Sequence, residues 1–297
     1  MFAIKKLGVP LLAAAAVLLG AGSAAAEPAM WIVEDEDSTI YLYGTVHLLR
    51  EGVTWDTPKL RQAMAGSSQT WFEIAEVDAS SNPEAQAQTA VLMQSLGVDP
   101  ARGLSVTIGE SLQRKLDEVA ARYGMTAAQF EPLEPWLVAL TFSLVPLQAA
   151  GYAQDKGVDP QLKAIAVGEG DRIGALETTE QQLRFFDSLE PDLQLAFLEQ
   201  TLDDAERIVP IMDELATAWA AGQPDRIAEI LNAEMKVRSP RLYDRLLTQR
   251  NAAWSEQIRT LLAGSGTHFI AVGAGHLAGP DSVQAHLEAL GVAVRPY

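Results

Sequence analysis

Strand-like sequence at both ends of the chain encloses a long helical middle, and this arrangement limits the possible folds more than any other feature. Near the start, the segments 32–33 and 39–43 flank an acidic turn, which predicts a β-hairpin. Near the end, the apolar run 268–272 predicts a buried strand. Helical spacing dominates from about 83 to 262. We therefore predict an α/β (α+β) fold, with a mixed central sheet built from both chain ends and a large helical insertion covering it.

Length and composition narrow the class of protein. The chain has 297 residues, of which 48% are hydrophobic and none is cysteine. This excludes disordered, disulfide-stapled and thiolate-metal scaffolds. The net charge of −17 argues against nucleic acid as a partner, because its phosphates need clustered Lys and Arg. Since both ends contribute strands, we expect residues 27–297 to form one domain, with the helical region inserted at about 83–262.

The first 26 residues have the three parts of a secretory signal peptide. Lys5 and Lys6 precede an apolar run over 7–19, and a series of small residues ends at Ala26. The alternative, a membrane anchor, is disfavoured because the apolar run is shorter than a membrane span requires. No later segment reaches that length. We expect cleavage near Ala26, a mature protein with no stable membrane span, and a location in the periplasm or outside the cell.

Side-chain signals for helix starts divide the middle of the chain. Three threonines are each followed three positions later by Glu or Gln, the pattern of a capping box. Asp159 before Pro160 fits a helix N-cap followed by proline. Beyond the middle, the segment 292–294 favours a last strand. The three capping pairs are Thr107 with Glu110, Thr126 with Gln129, and Thr178 with Gln181.

A short motif, Gly-x-x-His, occurs twice, each time directly after an apolar strand. The two copies end at His47 and His276. Glycine lets the chain leave a strand sharply and lets a ligand approach the backbone. Both histidines thus follow strand ends, where open α/β sheets bind ligands, although each could instead cap backbone groups of its turn. We expect the other two histidines, His268 and His286, to be structural.

Two acidic residues lie at the ends of further predicted strands. Glu73 stands in the apolar segment 70–74, and Glu177 follows the segment 173–176. A buried carboxylate is costly without a partner or a metal. Two neutral imidazoles and a carboxylate can hold a divalent metal ion such as Mn, Co or Zn. Such an ion could lower the pKa of bound water to about 7, and a second carboxylate could move the proton.

Each acidic candidate also has a structural interpretation. Glu76 is an alternative to Glu73 as the site residue, and Glu73 could instead form a buried ion pair. Asp159 is explained as a helix N-cap. Glu177 could favour the start of the next helix.

Together these motifs are similar to those of the TraB/GumN family of exported bacterial proteins, which is related more distantly to the Tiki proteases and to erythromycin esterases. The resemblance covers most of the mature chain. Its specific part is the pair of Gly-x-x-His motifs with the intervening arginine–asparagine. The matching segments are Tyr43-Gly44-Thr45-Val46-His47, Gly157-Val158-Asp159, Leu176-Glu177-Thr178, Gln182-Leu183, Arg250-Asn251 and Val272-Gly273-Ala274-Gly275-His276-Leu277.

The resemblance implies an α/β core with an inserted helical region. In the Tiki relatives it implies metal-dependent proteolysis that needs two histidines and an acidic residue, which correspond here to His47, Glu73 and His276. Arg250 would bind substrate or stabilise developing negative charge, its alternative being an ion pair. Asn251 is the adjacent candidate, with helix capping as its alternative. The distant esterases use the histidine without a required metal.

Three hypotheses follow for function. The first is an exported metal-dependent hydrolase that acts on peptide bonds, with a peptide or protein as substrate. The second is a non-catalytic protein that binds a peptide, haem or metal in the same pocket, and the third is a metal-independent esterase with His47 as base. The predicted catalytic residues are Glu73, Glu177, Arg250 and Asn251, and the predicted metal ligands are His47, Glu73 and His276.

Overall fold

The computed structural model describes residues 26–78 and 82–297, which contain one six-stranded mixed sheet. The strands are β1 (Met30–Glu34), β2 (Ser38–Thr45), β3 (Gln69–Phe72), β4 (Arg172–Ala175), β5 (Gly266–Gly273) and β6 (Arg295–Pro296). Their order across the sheet is β4-β3-β5-β2-β1-β6. The neighbours from β4 to β2 are parallel, and β1 is antiparallel to both β2 and β6. The predicted mixed sheet built from both chain ends is confirmed.

The register of the parallel strands brings four strand ends to one edge. In β2 and β5, Thr45 lies opposite Gly273. Phe72, the last residue of β3, lies opposite Ala271 of β5 and Ala175 of β4. Because the strands run in the same direction and end nearly level, the residues that follow them leave the sheet at a common edge, which we call the carboxyl edge.

Thirteen α-helices lie within the described residues, and most of them belong to the inserted region. The helices are α1 (Pro58–Ala65), α2 (Pro83–Gly97), α3 (Leu104–Arg122), α4 (Pro135–Ala149), α5 (Val158–Glu169), α6 (Thr179–Asp187), α7 (Pro191–Asp204), α8 (Ile208–Ala220), α9 (Pro224–Ile227), α10 (Glu234–Arg238), α11 (Pro240–Tyr243), α12 (Gln249–Leu262) and α13 (Val283–Ala289). Two π turns, Ala228–Ala233 and Asp244–Thr248, join α9 to α10 and α11 to α12. Two 3-10 turns cover Ala127–Phe130 and Ala274–Leu277.

Both faces of the sheet are buried, as is usual for parallel strands. On one face, Tyr43 and Phe269 pack with Trp219 of α8. On the other face, Leu42 and its neighbours belong to a cluster with Trp254 of α12. Alternate residues of the same strands thus enter two different cores, which fixes the register of the sheet because a one-residue slip would exchange the two sets.

The helical region has a core of its own and is tied to the sheet by a buried hydrogen bond. Leu116 of α3, Phe142 of α4 and Leu198 of α7 are fully buried together. The indole Nε1 of Trp219 donates to the carbonyl oxygen of Gly44 at 2.7 Å. This bond holds α8 against the point where β2 leads into the first Gly-x-x-His turn. Whether residues 27–297 form one domain stays a prediction.

Two of the three predicted capping boxes are confirmed. The boxes that start at Thr126 and Thr178 are both present. The box predicted at Thr107 is wrong, because α3 begins earlier and the Thr107 hydroxyl donates to the carbonyl oxygen of Gly103. The predicted N-cap role of Asp159 is also wrong, because α5 begins after Gly157 and Asp159 lies inside its first turn.

Two predictions concern the chain ends. The final strand comprises residues 295–296 and not 292–294. The predicted signal peptide, residues 1–26, lies outside the described residues except for Ala26. Among the helices of the described part, none is long and apolar enough to cross a membrane.

Candidate active site

The carboxyl edge brings four predicted site residues together, each just beyond a different strand. His47 follows β2, Glu73 follows β3, Glu177 follows β4 and His276 follows β5. Glu73, Glu177 and His276 are buried, whereas the His47 side chain is 53% exposed. The Nε2 atoms of His47 and His276 lie 3.7 and 3.8 Å from the same Glu73 oxygen, Oε1. One carboxylate oxygen thus stands between two imidazoles, one open to solvent and one enclosed.

His47 is held by a buried carboxylate from α5. Its Nδ1 lies 2.9 Å from Oδ2 of Asp159, whose Oδ1 accepts a hydrogen bond from the Thr45 hydroxyl at 2.7 Å. The negative charge of Asp159 raises the pKa of His47 to about 9, although burial by itself would lower this pKa. A Cβ at Gly157 would lie 2.0 Å from the His47 carbonyl oxygen, so only glycine lets α5 approach this closely. Gly157 thus allows the first turn of α5 to bring Asp159 to the Nδ1 side of the imidazole.

Arg250 ties the buried members of the site together through all five of its N–H groups. Its Nε donates to Glu177 Oε1 at 3.0 Å. Its Nη2 donates to Glu177 Oε2 at 2.8 Å and to Glu73 Oε2 at 2.7 Å. Its Nη1 lies 3.2 Å from both the Leu246 carbonyl oxygen and His276 Nε2. The structure thus shows the ion pair that was the alternative for Arg250; a substrate contact would displace one of these partners.

His276 is fixed in a neutral form with its proton on Nδ1. We assign this tautomer from its partners: Arg250 donates to Nε2, so the remaining proton lies on Nδ1, 2.5 Å from Asn251 Oδ1. Burial lowers the pKa of His276 to about 3, because the Glu73 carboxylate, which raises it, is offset by Arg250. Asn251 in turn donates to the Asp281 carbonyl oxygen at 2.7 Å.

Glu73 is an ionised carboxylate, and both of its oxygens accept hydrogen bonds from fixed donors. Its Oε1 accepts the Gly273 backbone N–H at 2.8 Å, and Gln182 donates to its Oε2 at 3.0 Å. Burial alone would raise the pKa of Glu73, but Arg250 and the Gly273 N–H hold it well below its usual range. A Cβ at Gly273 would lie 3.0 Å from Glu73 Oε1 and 3.1 Å from His47 Nε2. The absence of a side chain there keeps open the gap between His47 and Glu73.

The sequence profile of the TraB/PrgY/gumN family matches residues 29–296. The chain belongs to this family. The match includes all the site residues, from Thr45 to Asp281.

Two curated proteins are similar to this TraB/PrgY/gumN family member. The "Uncharacterized protein YbaP" of Escherichia coli (strain K12) is 25% identical over 256 residues, 86% of this chain and 90% of that protein. The "Uncharacterized protein YbaP" of Shigella flexneri is 27% identical over 180 residues, 61% of this chain and 66% of that protein. No solved structure matches the chain. Any assignment of chemistry therefore depends on the site geometry.

Sequence reasoning about this TraB/PrgY/gumN chain missed two residues that hold the site. Gln182, which stands in a family motif, bridges Glu73 and Glu177 by donating to Oε2 of each, at 3.0 and 3.3 Å. Asn232 lies on the first π turn and donates to the carbonyl oxygens of Gly275 and Ala278, both at 2.9 Å. Asn232 thereby clamps the turn that carries His276. Its partners are more than 40 residues away, and the sequence holds no local signal for them.

The metal ligands predicted for this TraB/PrgY/gumN family member were His47, Glu73 and His276. Within the described residues, no group of three or more His, Cys, Asp or Glu side chains has a geometry that could hold a metal ion. The His276 Nε2 lone pair already accepts from Arg250, whose permanent positive charge lies beside Glu73. As they stand, these side chains do not fit a bound cation. The metal stays a prediction, and we derive no reaction step through it.

Proposed function

We propose that this family member is an exported hydrolase that cleaves peptide bonds, with His47 as the group that transfers protons. The observation that carries the proposal is the setting of this one imidazole. Its Nδ1 is held by buried Asp159, about half of the side chain is exposed, and its Nε2 faces the gap beside Glu73. A histidine oriented by a carboxylate, with the other ring nitrogen free to reach substrate, is the arrangement used for general acid–base catalysis.

The proposed reaction needs only His47 and a water molecule. Neutral His47 accepts a proton from water at Nε2 while the water oxygen forms a bond to the carbonyl carbon. The resulting imidazolium is stabilised by Asp159. It then gives the proton to the leaving nitrogen as the C–N bond breaks, which restores neutral His47 and leaves a carboxylic acid and an amine. An ester would react in the same way, with the proton passing to the leaving oxygen.

The buried residues position this reaction. Glu73 Oε1 lies 3.7 Å from His47 Nε2, so a water molecule in the gap can contact both atoms. The guanidinium of Arg250 lowers the pKa of Glu73 and holds both Glu73 and Glu177 in place, and Asn251 fixes the His276 ring. We assign these residues to positioning, and His47 to proton transfer.

A second candidate is the metal-dependent peptidase predicted from the sequence. Its supporting observation is that two imidazole nitrogens and one carboxylate oxygen converge within 4 Å. This candidate requires the Arg250 N–H to leave His276 Nε2, so that both histidines and Glu73 can bind the ion. The two candidates therefore differ in whether added Mn, Co or Zn is needed for activity.

The test uses the mature chain, residues 27–297, with a peptide library and a panel of activated esters, in the presence and absence of a chelator. We expect cleavage that persists with chelator and falls about 100-fold or more in His47→Ala. His286→Gln is the matched control, because His286 lies on α13 and its side chain is not among the hydrogen-bond partners of His47, Glu73 or Arg250. Cleavage only after addition of Mn, Co or Zn would support the second candidate. Saturable peptide binding without cleavage would overturn both in favour of a non-catalytic binder.

Export has its own test. A secreted precursor should lose its signal peptide, so we expect the periplasmic or extracellular protein to begin at Glu27. N-terminal sequencing of the protein recovered from each cell fraction measures this directly. An intact Met1 in a cytoplasmic fraction would contradict export.

A further inference from the structure

The helical region contains a cavity of about 220 Å³ beside the site. Apolar side chains from α4, α7, α10, α11 and the second π turn form much of its wall. They are Phe142, Phe197, Met235, Leu242 and Leu246. Three of these residues, Phe197, Met235 and Leu246, are only partly buried.

One residue connects the cavity to the site. Leu246 lines the cavity, and its carbonyl oxygen accepts the Arg250 Nη1 hydrogen bond at 3.2 Å. The same Nη1 lies 3.2 Å from His276 Nε2. Only Leu246 therefore stands between the cavity and Arg250, the residue that holds the buried half of the site.

Several polar groups of the cavity wall already have partners within the protein. The two hydroxyls donate to carbonyl oxygens of their own helices, the carboxylate pairs with an arginine, and the amide oxygen accepts from a serine. These groups are Ser143 and Thr201, Asp204 with Arg238, and Gln200 with Ser239. Both hydroxyl protons are already used, so a polar ligand gains little from them, whereas an apolar group would displace only water.

The volume indicates the size of that group. An apolar cavity of about 150 Å³ is sufficient for benzene. The larger volume here accommodates an aromatic or branched aliphatic side chain. We propose that this cavity binds one such side chain of the substrate and so selects the peptide that is cleaved, an inference that rests on the proposed function.

The experiment separates binding from cleavage by using toluene as the probe and two neighbouring substitutions. Ser143→Phe places a ring into the cavity wall. Leu144→Phe is the matched control, because Leu144 is the next residue on α4, is 40% exposed and does not line the cavity. Toluene binding is measured by NMR on folded protein, and peptide cleavage by a library that varies one residue at a time.

We expect toluene to bind the wild type and Leu144→Phe equally, and to bind Ser143→Phe about 10-fold or more weakly. In the library, Ser143→Phe should lose the preference for Phe, Leu or Ile while it still cleaves peptides with smaller residues. Equal toluene binding by all three proteins, or no binding to any, would overturn the cavity proposal whatever the activity. Normal toluene binding with no cleavage of any peptide would instead overturn the proposed function and, with it, the substrate assignment.

Discussion

Arg250 Nη2 lies 2.7 Å from Glu73 Oε2, although 177 residues separate the two in the chain. The same guanidinium also binds Glu177, so one buried cation is shared by two buried anions from two strand ends. A buried ion pair adds little stability when intact, but removal of one partner leaves an uncompensated charge.

Arg250→Met should therefore be among the most destabilising single changes at this site. We expect the free energy of unfolding to fall by about 3–5 kcal/mol, because Glu73 and Glu177 lose their common partner. Urea denaturation followed by circular dichroism measures the change. Arg259→Met is the control: Arg259 pairs with Glu256 on the surface, where substitutions change stability by about 0.5 kcal/mol or less. Similar losses in the two variants would show that the buried network does not depend on its cation.

The pKa of His47 should depend on the negative charge of Asp159. The pKa of about 9 falls toward its ordinary value of about 6.5 in Asp159→Asn, because the carboxylate charge beside Nδ1 is lost. Since the folded-state pKa is raised, the stability that His47 contributes is complete below about pH 6.5 and is lost as the pH rises through about 9. NMR titration of the ring protons measures the pKa without reference to activity. An unchanged His47 pKa in Asp159→Asn would contradict the assigned pair.

The same titration predicts how hydrolysis depends on pH. Only neutral His47 can accept a proton from water, so the rate should rise with pH up to about 9. In Asp159→Asn the rise should occur at lower pH, with a lower maximum because the imidazolium is less stabilised. A rate that does not vary between pH 6 and 9 would rule out His47 as the base.

Gly273→Ala should strongly reduce turnover while the protein stays folded. The new methyl group would lie 3.0 Å from Glu73 Oε1 and 3.1 Å from His47 Nε2, which closes the gap between them. We expect a loss of about 100-fold in kcat/KM from the displaced groups, with a normal circular dichroism spectrum. Gly168→Ala, where a Cβ has nothing within 4 Å, is the control. Full activity in Gly273→Ala would place the reaction elsewhere.

Asn232→Asp tests the clamp on the His276 turn. The substitution keeps the size of the side chain but replaces the donor that binds Gly275 and Ala278 with an acceptor facing two carbonyl oxygens. We expect a loss of about 1–3 kcal/mol in unfolding free energy and a lower kcat. Asn82→Asp is the control, because Asn82 caps α2 and aspartate caps equally well. If the two variants are equally stable, Asn232 does not hold the turn.

The carboxyl edge was predictable from sequence because it depends on local signals. Glycine at the end of an apolar strand predicts a sharp exit, and parallel pairing then brings His47 and His276 to one edge. The choice between Glu73 and Glu76 needed the structure. Glu73 contacts Arg250 and both histidines, whereas Glu76 accepts a hydrogen bond from Thr179 at the start of α6.

The roles of Asp159 and Asn232 were not predictable, because tertiary contacts override what their local sequence favours. The Asp-Pro sequence predicted that Asp159 caps a helix. Its two carboxylate oxygens instead contact Thr45 and His47, which lie more than 100 residues earlier in the chain. Asn232 satisfies carbonyl oxygens of a turn that is remote in sequence. No local pattern encodes such long-range pairs.

The position of β5 in the sheet affects when the chain can fold. This strand, residues 266–273, lies between β2 and β3. A growing chain that has reached residue 262 therefore has the β1–β2 hairpin and the β3–β4 pair. It lacks β5, the strand that pairs with both β2 and β3. The sheet cannot close until residues 266–273 have been synthesised. A chain that stops short of β5 is thus kept open by its own topology, because the two halves of the sheet lack the strand that pairs with both.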